Sequence, residues 1–508
     1  MMFKSEPPIF TDENNSHYLT NLDIPGRSAN GLYLVSLITV GMLSTGFRYI
    51  FSGQTDKVPL GMQMGCVFLV LSFWLMRKFL SPKPHNILSP DILFVAFFCV
   101  FHFAYMILYT LGIAPWDDEV FWVPGKVLPA VNFCIWSLIL FLIGYEIAGN
   151  RYSRCPINPV VEPIPPALLP VSKALVILGA AMFFGAILTL GAGRVLSDYE
   201  EMLNVGASSP LGRLFWLGQN IGLIGIAMYC AASGINHKKH MVGLFMMVAW
   251  IYIISILLLG DRGGFIQLFI IPLMTFHYFQ KKIKLSWIAV LVVMVFCGMA
   301  IVGLARQSAF GSITAMYREY KATEQAAAYN PVVYSLIEFG TSIKTVVIAM
   351  DLVPASYDYW KGKSFVDAMM ILVPNIIPGL IRTSQGIAGW LTERAFGQLW
   401  ATHGRGGSIA MEVYLNFGLY GGVLFFGVLG FVLRCIYERF LMRPNFLRIV
   451  FLLGVMAGYA LWMRNSSSTF VRPAFWTILV AYIVVLMTRS KTMPASDYSE
   501  PQTVEVRE

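Results

Sequence analysis

Arg262 sits within Gly260-Asp261-Arg262-Gly263-Gly264, between two apolar segments. A second glycine-rich stretch, His403-Gly404-Arg405-Gly406-Gly407-Ser408, leads into another apolar segment that carries Met411-Glu412-Val413-Tyr414-Leu415-Asn416-Phe417-Gly418. Glycines let a backbone turn tightly and approach a ligand closely. Arginine presents a fixed fork of donors suited to phosphate oxygens. Arg262, Arg306, Arg394 and Arg464 are therefore read as binders of an anionic group, with Asp261 orienting Arg262 and Arg472 adding to the same rim. The plainer reading of each is a cation at a helix end reaching toward lipid headgroups. Glu412 lies near a membrane boundary, where a carboxylate is costly and so becomes a candidate for proton transfer. Its plainer reading is a structural pair with Arg405 or Arg464. His403 is the second candidate base. Ser408, Glu412 and Tyr414 fall on one face of an entering helix at three- to four-residue spacing. Tyr414 and Asn416 are read as supporting residues.

These residues need a scaffold, and the composition says which. The chain has 508 residues, 57% hydrophobic and 13% charged. Soluble domains carry about 25% charged residues. Repeated apolar runs of about 18 residues or more, together with this deficit, predict an all-α polytopic membrane protein. Twelve transmembrane helices are expected near 31–51, 59–80, 90–113, 127–148, 171–191, 212–233, 241–260, 265–280, 285–305, 409–433, 447–463 and 470–488. They divide the chain into a tail (1–30), nine helices (31–305), a large loop (306–408), three helices (409–488) and a second tail (489–508). Residues 365–381 form an apolar run broken by Pro374 and Pro378, and 326–350 is apolar apart from Glu338 and Lys344. Both predict short re-entrant or interfacial helices inside the loop. The rival is two further spans over 332–381, which keeps the orientation of both ends.

Orientation follows from the short loops. One alternating set is plainly cationic, including Arg77, Lys78 and Lys83, then Lys281, Lys282 and Lys284, then Arg434, Arg439, Arg443 and Arg448. The other set mixes both signs. The positive-inside rule makes both termini cytoplasmic and turns 261–264 and 306–408 outward, toward the periplasm of a bacterial inner membrane. The net charge of +9 is explained this way, which excludes nucleic acid as a partner. The seven cysteines show no metal or redox spacing and read as apolar filler. There is no P-loop, HExxH or GxSxG motif, and no convincing outward DxD-type site. No metal site and no cofactor is expected.

Gly-Asp-Arg-Gly-Gly after a span, a long outward loop, and then Gly-Gly-Ser-Ile-Ala-Met-Glu-Val-Tyr-Leu-Asn-Phe-Gly-Leu-Tyr-Gly-Gly over 406–422 resemble bacterial O-antigen and exopolysaccharide repeat-unit polymerases of the Wzy type. The resemblance implies an integral-membrane glycosyltransferase. Its partners would be lipid-linked oligosaccharides on undecaprenyl diphosphate, as donor and acceptor, membrane lipids, and a chain-length regulator protein. On this reading Arg262 and Arg306 bind diphosphate, and Arg405, His403 and Glu412 handle the reacting end. Two alternatives are an O-antigen ligase-like glycan transferase and a polysaccharide flippase or transporter. The absence of a visible internal repeat and the few charges in the first eight spans weigh against transport.

Overall fold

A computed structural model of the chain describes residues 31–54, 56–79, 86–118, 120–121, 123–152, 165, 167–190, 210–236, 243–258, 261–305, 330–372, 386–397 and 406–489. The described residues are helical, with no strand among them. In chain order the helices are α1 (Gly31–Ile50), α2 (Lys57–Phe79), α3 (Pro90–His102), α4 (Ala104–Thr110), α5 (Pro124–Tyr152), α6 (Leu168–Leu190), α7 (Pro210–Asn236), α8 (Leu244–Leu258) and α9 (Arg262–Phe279). Then come α10 (Leu285–Ala305), α11 (Pro331–Gly340), α12 (Ile343–Leu352), α13 (Lys363–Met370), α14 (Ile387–Phe396), α15 (Ile409–Met442), α16 (Phe446–Trp462) and α17 (Ser468–Arg489). A helix satisfies its backbone within itself, which is what an apolar run in lipid requires.

Eight helices among the described residues are long and apolar enough to cross a membrane, or nine if the pair α3–α4, bent by 52°, counts as one span. This is fewer than the twelve expected. The stretches expected at 241–260, 285–305 and 447–463 supply shorter apolar helices. α9 has 18 residues, interrupted by Pro272, and is not among the eight. Conversely, Pro331–Leu352, expected inside the loop, is long and apolar enough to join them. Two expected ends also move. The turn at 261–264 is not a turn: Asp261 caps α9 and Arg262 opens it. The span expected to stop at 433 runs to Met442 and breaks instead at Gly418, whose φ of 67° and ψ of −162° leave the helix. A positive φ suits glycine, which has no Cβ.

Small residues let the longest helices touch. α5 and α15 pack together, and a Cβ on Gly430 would lie 2.1 Å from the Phe141 carbonyl oxygen. Helices in lipid associate through such close backbone approach, because lipid provides no hydrophobic drive between them. α9 lies against α7 and α16, and α16 packs along α17. Those four helices enclose the cleft described below. Two cations counted as loop residues are in fact internal. Lys78 is buried and pairs with Asp91 at 2.7 Å, and Arg434 is buried in a pair with Glu438 one helical turn along α15. A buried charge needs such a partner.

Candidate functional site

The capping of α9 sets the site. The Gly264 backbone N–H donates to Asp261 Oδ1 at 2.8 Å, and Gln219 Nε2 of α7 donates to Asp261 Oδ2 at 2.7 Å. Asp261 thus satisfies an otherwise orphan donor of the first turn and ties that turn to α7. The fold leaves no room for a larger residue at position 264. A Cβ there would stand 1.8 Å from Gln219 Nε2 and 2.4 Å from Asp261 Oδ2. Gly264→Ala is expected to lower stability by about 1–3 kcal/mol through overpacking and a weakened cap. Thermal unfolding of the detergent-purified protein would show this as a lower midpoint. Gln219→Ala in the same chain should restore part of it, because the nearest obstacle is removed.

Holding the first turn of α9 fixes Arg262. Its Nη1 and Nη2 donate to the two oxygens of Glu338, at 2.6 Å and 2.5 Å. This is a bidentate fork, the strongest arrangement of these two groups. Arg464, from the turn between α16 and α17, approaches the same Glu338 oxygen at 3.6 Å. Both guanidiniums also face the Phe339 ring, at 5.8 Å for Arg262 and 5.4 Å for Arg464. One carboxylate and one ring on α11 therefore gather two arginines from separate helix ends. They border a cleft of about 550 Å³ whose wall also carries Arg472. Asn220, Gln267, Asn465 and Ser468 line it too. Amide and hydroxyl groups of this kind hydrogen-bond in both directions, as sugar hydroxyls do. Cation, amide and aromatic ring together suit a ligand that is anionic at one end and polyhydroxylated at the other.

The 406–418 stretch lies behind this cleft and does not line it. Glu412 is fully buried. Its Oε2 accepts from Trp462 Nε1 and from the Ser467 backbone N–H, each at 2.7 Å, and its Oε1 accepts from Ser467 Oγ at 2.7 Å. Among the described residues, these neutral donors stand where the plainer sequence reading placed an arginine. The Gly407 N–H donates to the Arg464 carbonyl at 3.3 Å. Ser408 caps α15 through the Met411 N–H and meets Thr345 Oγ1 at 2.9 Å. Asn416 Nδ2 donates to Ser364 Oγ at 2.8 Å, and Tyr414 donates to the Val353 carbonyl at 2.9 Å. The stretch thus clamps the Arg464 turn on one side and α12 and α13 on the other.

Of the sequence candidates, Asp261, Arg262, Arg464 and Arg472 come together at the cleft. Arg394 does not; it faces the Tyr357 ring at 5.6 Å on α14, and α14 packs on α12. Glu412 does not reach the cleft, because its carboxylate is turned into the α16–α17 junction. Arg306, His403 and Arg405 lie outside the described residues. Glu338 and Gln219 were missed. A signal for Glu338 existed, a lone carboxylate within the apolar run 331–343, and carboxylates in such runs are functional candidates. Gln219 gives no comparable signal.

The family model described as O-antigen polysaccharide polymerase Wzy matches residues 33–494, most of the chain, and the chain belongs to that family. No curated protein and no solved structure matches it. Family membership and the apolar helices make it a multi-pass membrane protein of polysaccharide biosynthesis.

Proposed function

We propose that this member of the Wzy family lengthens a glycan at the outer face of a bacterial inner membrane, using the arginine cleft to hold a lipid diphosphate. Both substrates are oligosaccharide repeat units on undecaprenyl diphosphate. The growing glycan moves from its carrier to a new lipid-linked unit. The observation that carries this reading is the convergence of Arg262 and Arg464 on Glu338 beside Arg472. A carboxylate held by two guanidiniums occupies a position whose electrostatics equally suit a phosphate.

The chemistry follows from that exchange. When the diphosphate enters, it takes over the guanidiniums and releases Glu338. The bond from the anomeric carbon to the diphosphate oxygen breaks, and its electron pair leaves with the diphosphate. Positioned arginines stabilise the growing negative charge without reorganising, and more strongly where water is excluded. The acceptor hydroxyl oxygen bonds to the anomeric carbon and gives up its proton to a nearby base. Glu338, freed at the edge of the cleft, is one base; His403, with Arg405 beside it, is the other. Arg306 joins the diphosphate from the end of α10. Glu412 is a positioning residue: it fixes the turn that presents Arg464.

Topology supports the outward placement. Ser335 donates to the Phe296 carbonyl, a Cβ on Gly340 would meet Tyr105, Glu338 meets Arg262, Thr345 meets Ser408, and Val353 accepts from Tyr414. With both termini cytoplasmic, every one of these partners lies in the middle or outer part of its helix. Residues 331–352 therefore cross the outward side of the bundle as an interfacial segment, despite being long enough to span.

Deleting the chain from its host tests the reading. The expected product is a single repeat unit where polymer was made before, restored by the intact chain. Full-length polymer stranded on the lipid carrier would instead mark a ligase, and unchanged polymer would exclude both roles.

A further inference from the structure

A second cavity, of about 360 Å³, opens among Arg48, Tyr49, Lys126, Met350, Tyr414 and Leu419. Arg48 closes the last turn of α1 and Lys126 lies in the first turn of α5. With both termini cytoplasmic, both ends face outward, where the positive-inside rule does not account for cations. The two cations also differ from those of the cleft. Arg262 and Arg464 share Glu338, whereas among the described residues no carboxylate lines this second cavity and neither Arg48 nor Lys126 is ion-paired. Lys126 is further disfavoured by its place, because a helix N-terminus already carries partial positive charge. Two cations around one cavity with no carboxylate partner among the described residues favour an anionic occupant.

The two cavities share their walls. The segment 331–352 presents Phe339 to the first and Met350 to the second. Phe339 lies on α11 and Met350 on α12, eleven residues further along the chain and across the turn between them. The 406–419 stretch does likewise: Gly407 and Glu412 hold the Arg464 turn, while Tyr414 and Leu419 line the second cavity. A reaction that joins two lipid-linked glycans must seat two diphosphates on one face at once. We propose that the Arg48–Lys126 cavity holds the diphosphate headgroup of the second lipid-linked substrate, while the arginine cleft holds that of the first. This rests on the polymerase reading above and adds which part of the chain takes the other substrate.

Phospholipid headgroups offer related phosphate chemistry, so the test separates the two sources. The purified chain in phosphatidylcholine nanodiscs is titrated with undecaprenyl diphosphate, and bound copies are counted by native mass spectrometry. The intact chain should hold two copies. Arg48→Gln with Lys126→Gln should hold one, with the other site weakened by about tenfold or more, as expected for losing charge-assisted contacts. Arg262→Gln with Arg464→Gln should keep the complementary copy, and phosphatidylglycerol in excess should not displace it. A thermal midpoint equal to that of the intact chain certifies each variant, and single replacements substitute for any double variant that fails this. One copy in the intact chain, unaffected by changes at Arg48 and Lys126, overturns the inference and leaves the cleft reading standing. Ready displacement by phosphatidylglycerol also overturns it, marking a general headgroup site. No bound copy at all would remove the polymerase reading together with this one.

Discussion

Replacing Arg262 by alanine should stop chain extension while the protein stays folded in the membrane. The first half follows from charge. In the proposed reaction the leaving diphosphate gathers negative charge as the glycosidic bond breaks, and removing one positioned donor from such a site costs about 10²–10³-fold in rate. The second half follows from what remains. Glu338 keeps Arg464 within 3.6 Å, and its side chain is 24% exposed, so it is neither orphaned nor cut off from water. The α9 cap does not use the Arg262 side chain either, since it runs through Asp261, Gly264 and Gln219. Arg262→Lys should fail nearly as badly, because one ammonium cannot reproduce a fork that grips two oxygens. Polymer length on a gel, with membrane levels of the variant measured alongside, decides it. Long polymer from Arg262→Ala at normal protein level would remove Arg262 from the reaction.

Most helices were legible because lipid imposes one rule, an apolar run long enough to span. The stretch expected at 31–51 is helical over Gly31–Ile50 and that expected at 59–80 over Lys57–Phe79. Breaks inside runs were not legible. Nothing in Phe98–Tyr105 announces the bend after His102, and Gly418 reads like any other glycine until its φ is known. Counting charges placed Lys78 and Arg434 in loops, although their carboxylate partners Asp91 and Glu438 bring both inside. Such pairing depends on which helices meet, which a run of residues does not state. At the cleft, Arg262 between its glycines stood out in the sequence. Its partner did not, because Glu338 lies 76 residues from Arg262. The 406–418 stretch was legible as special and was read as handling the reacting end, whereas Ser408, Glu412 and Asn416 bond to the scaffold and do not line the arginine cleft.

That difference makes Glu412 the sharper experiment. Glu412→Ala should be severe, leaving the Trp462 and Ser467 donors unsatisfied in a fully buried position. Each stranded buried donor costs about 1–3 kcal/mol, so the variant should lose about 3 kcal/mol or more in all. A lower thermal midpoint and little polymer are expected together. Glu412→Gln should behave otherwise. Both N–H donors converge on Oε2, which a glutamine carbonyl oxygen can replace. The remaining donors to the carboxylate are hydroxyls, Ser467 on Oε1 and Ser364, and a hydroxyl can reverse to accept from the new amide. The glutamine variant should therefore keep a near-normal midpoint and most of its polymer. A residue that removes the acceptor's proton gives the opposite result, because glutamine cannot take a proton and general-base catalysis contributes about 10²–10⁴-fold. A stable Glu412→Gln protein without polymer would return Glu412 to the chemistry. A stable and active one leaves it as the post that holds the Arg464 turn against Glu338.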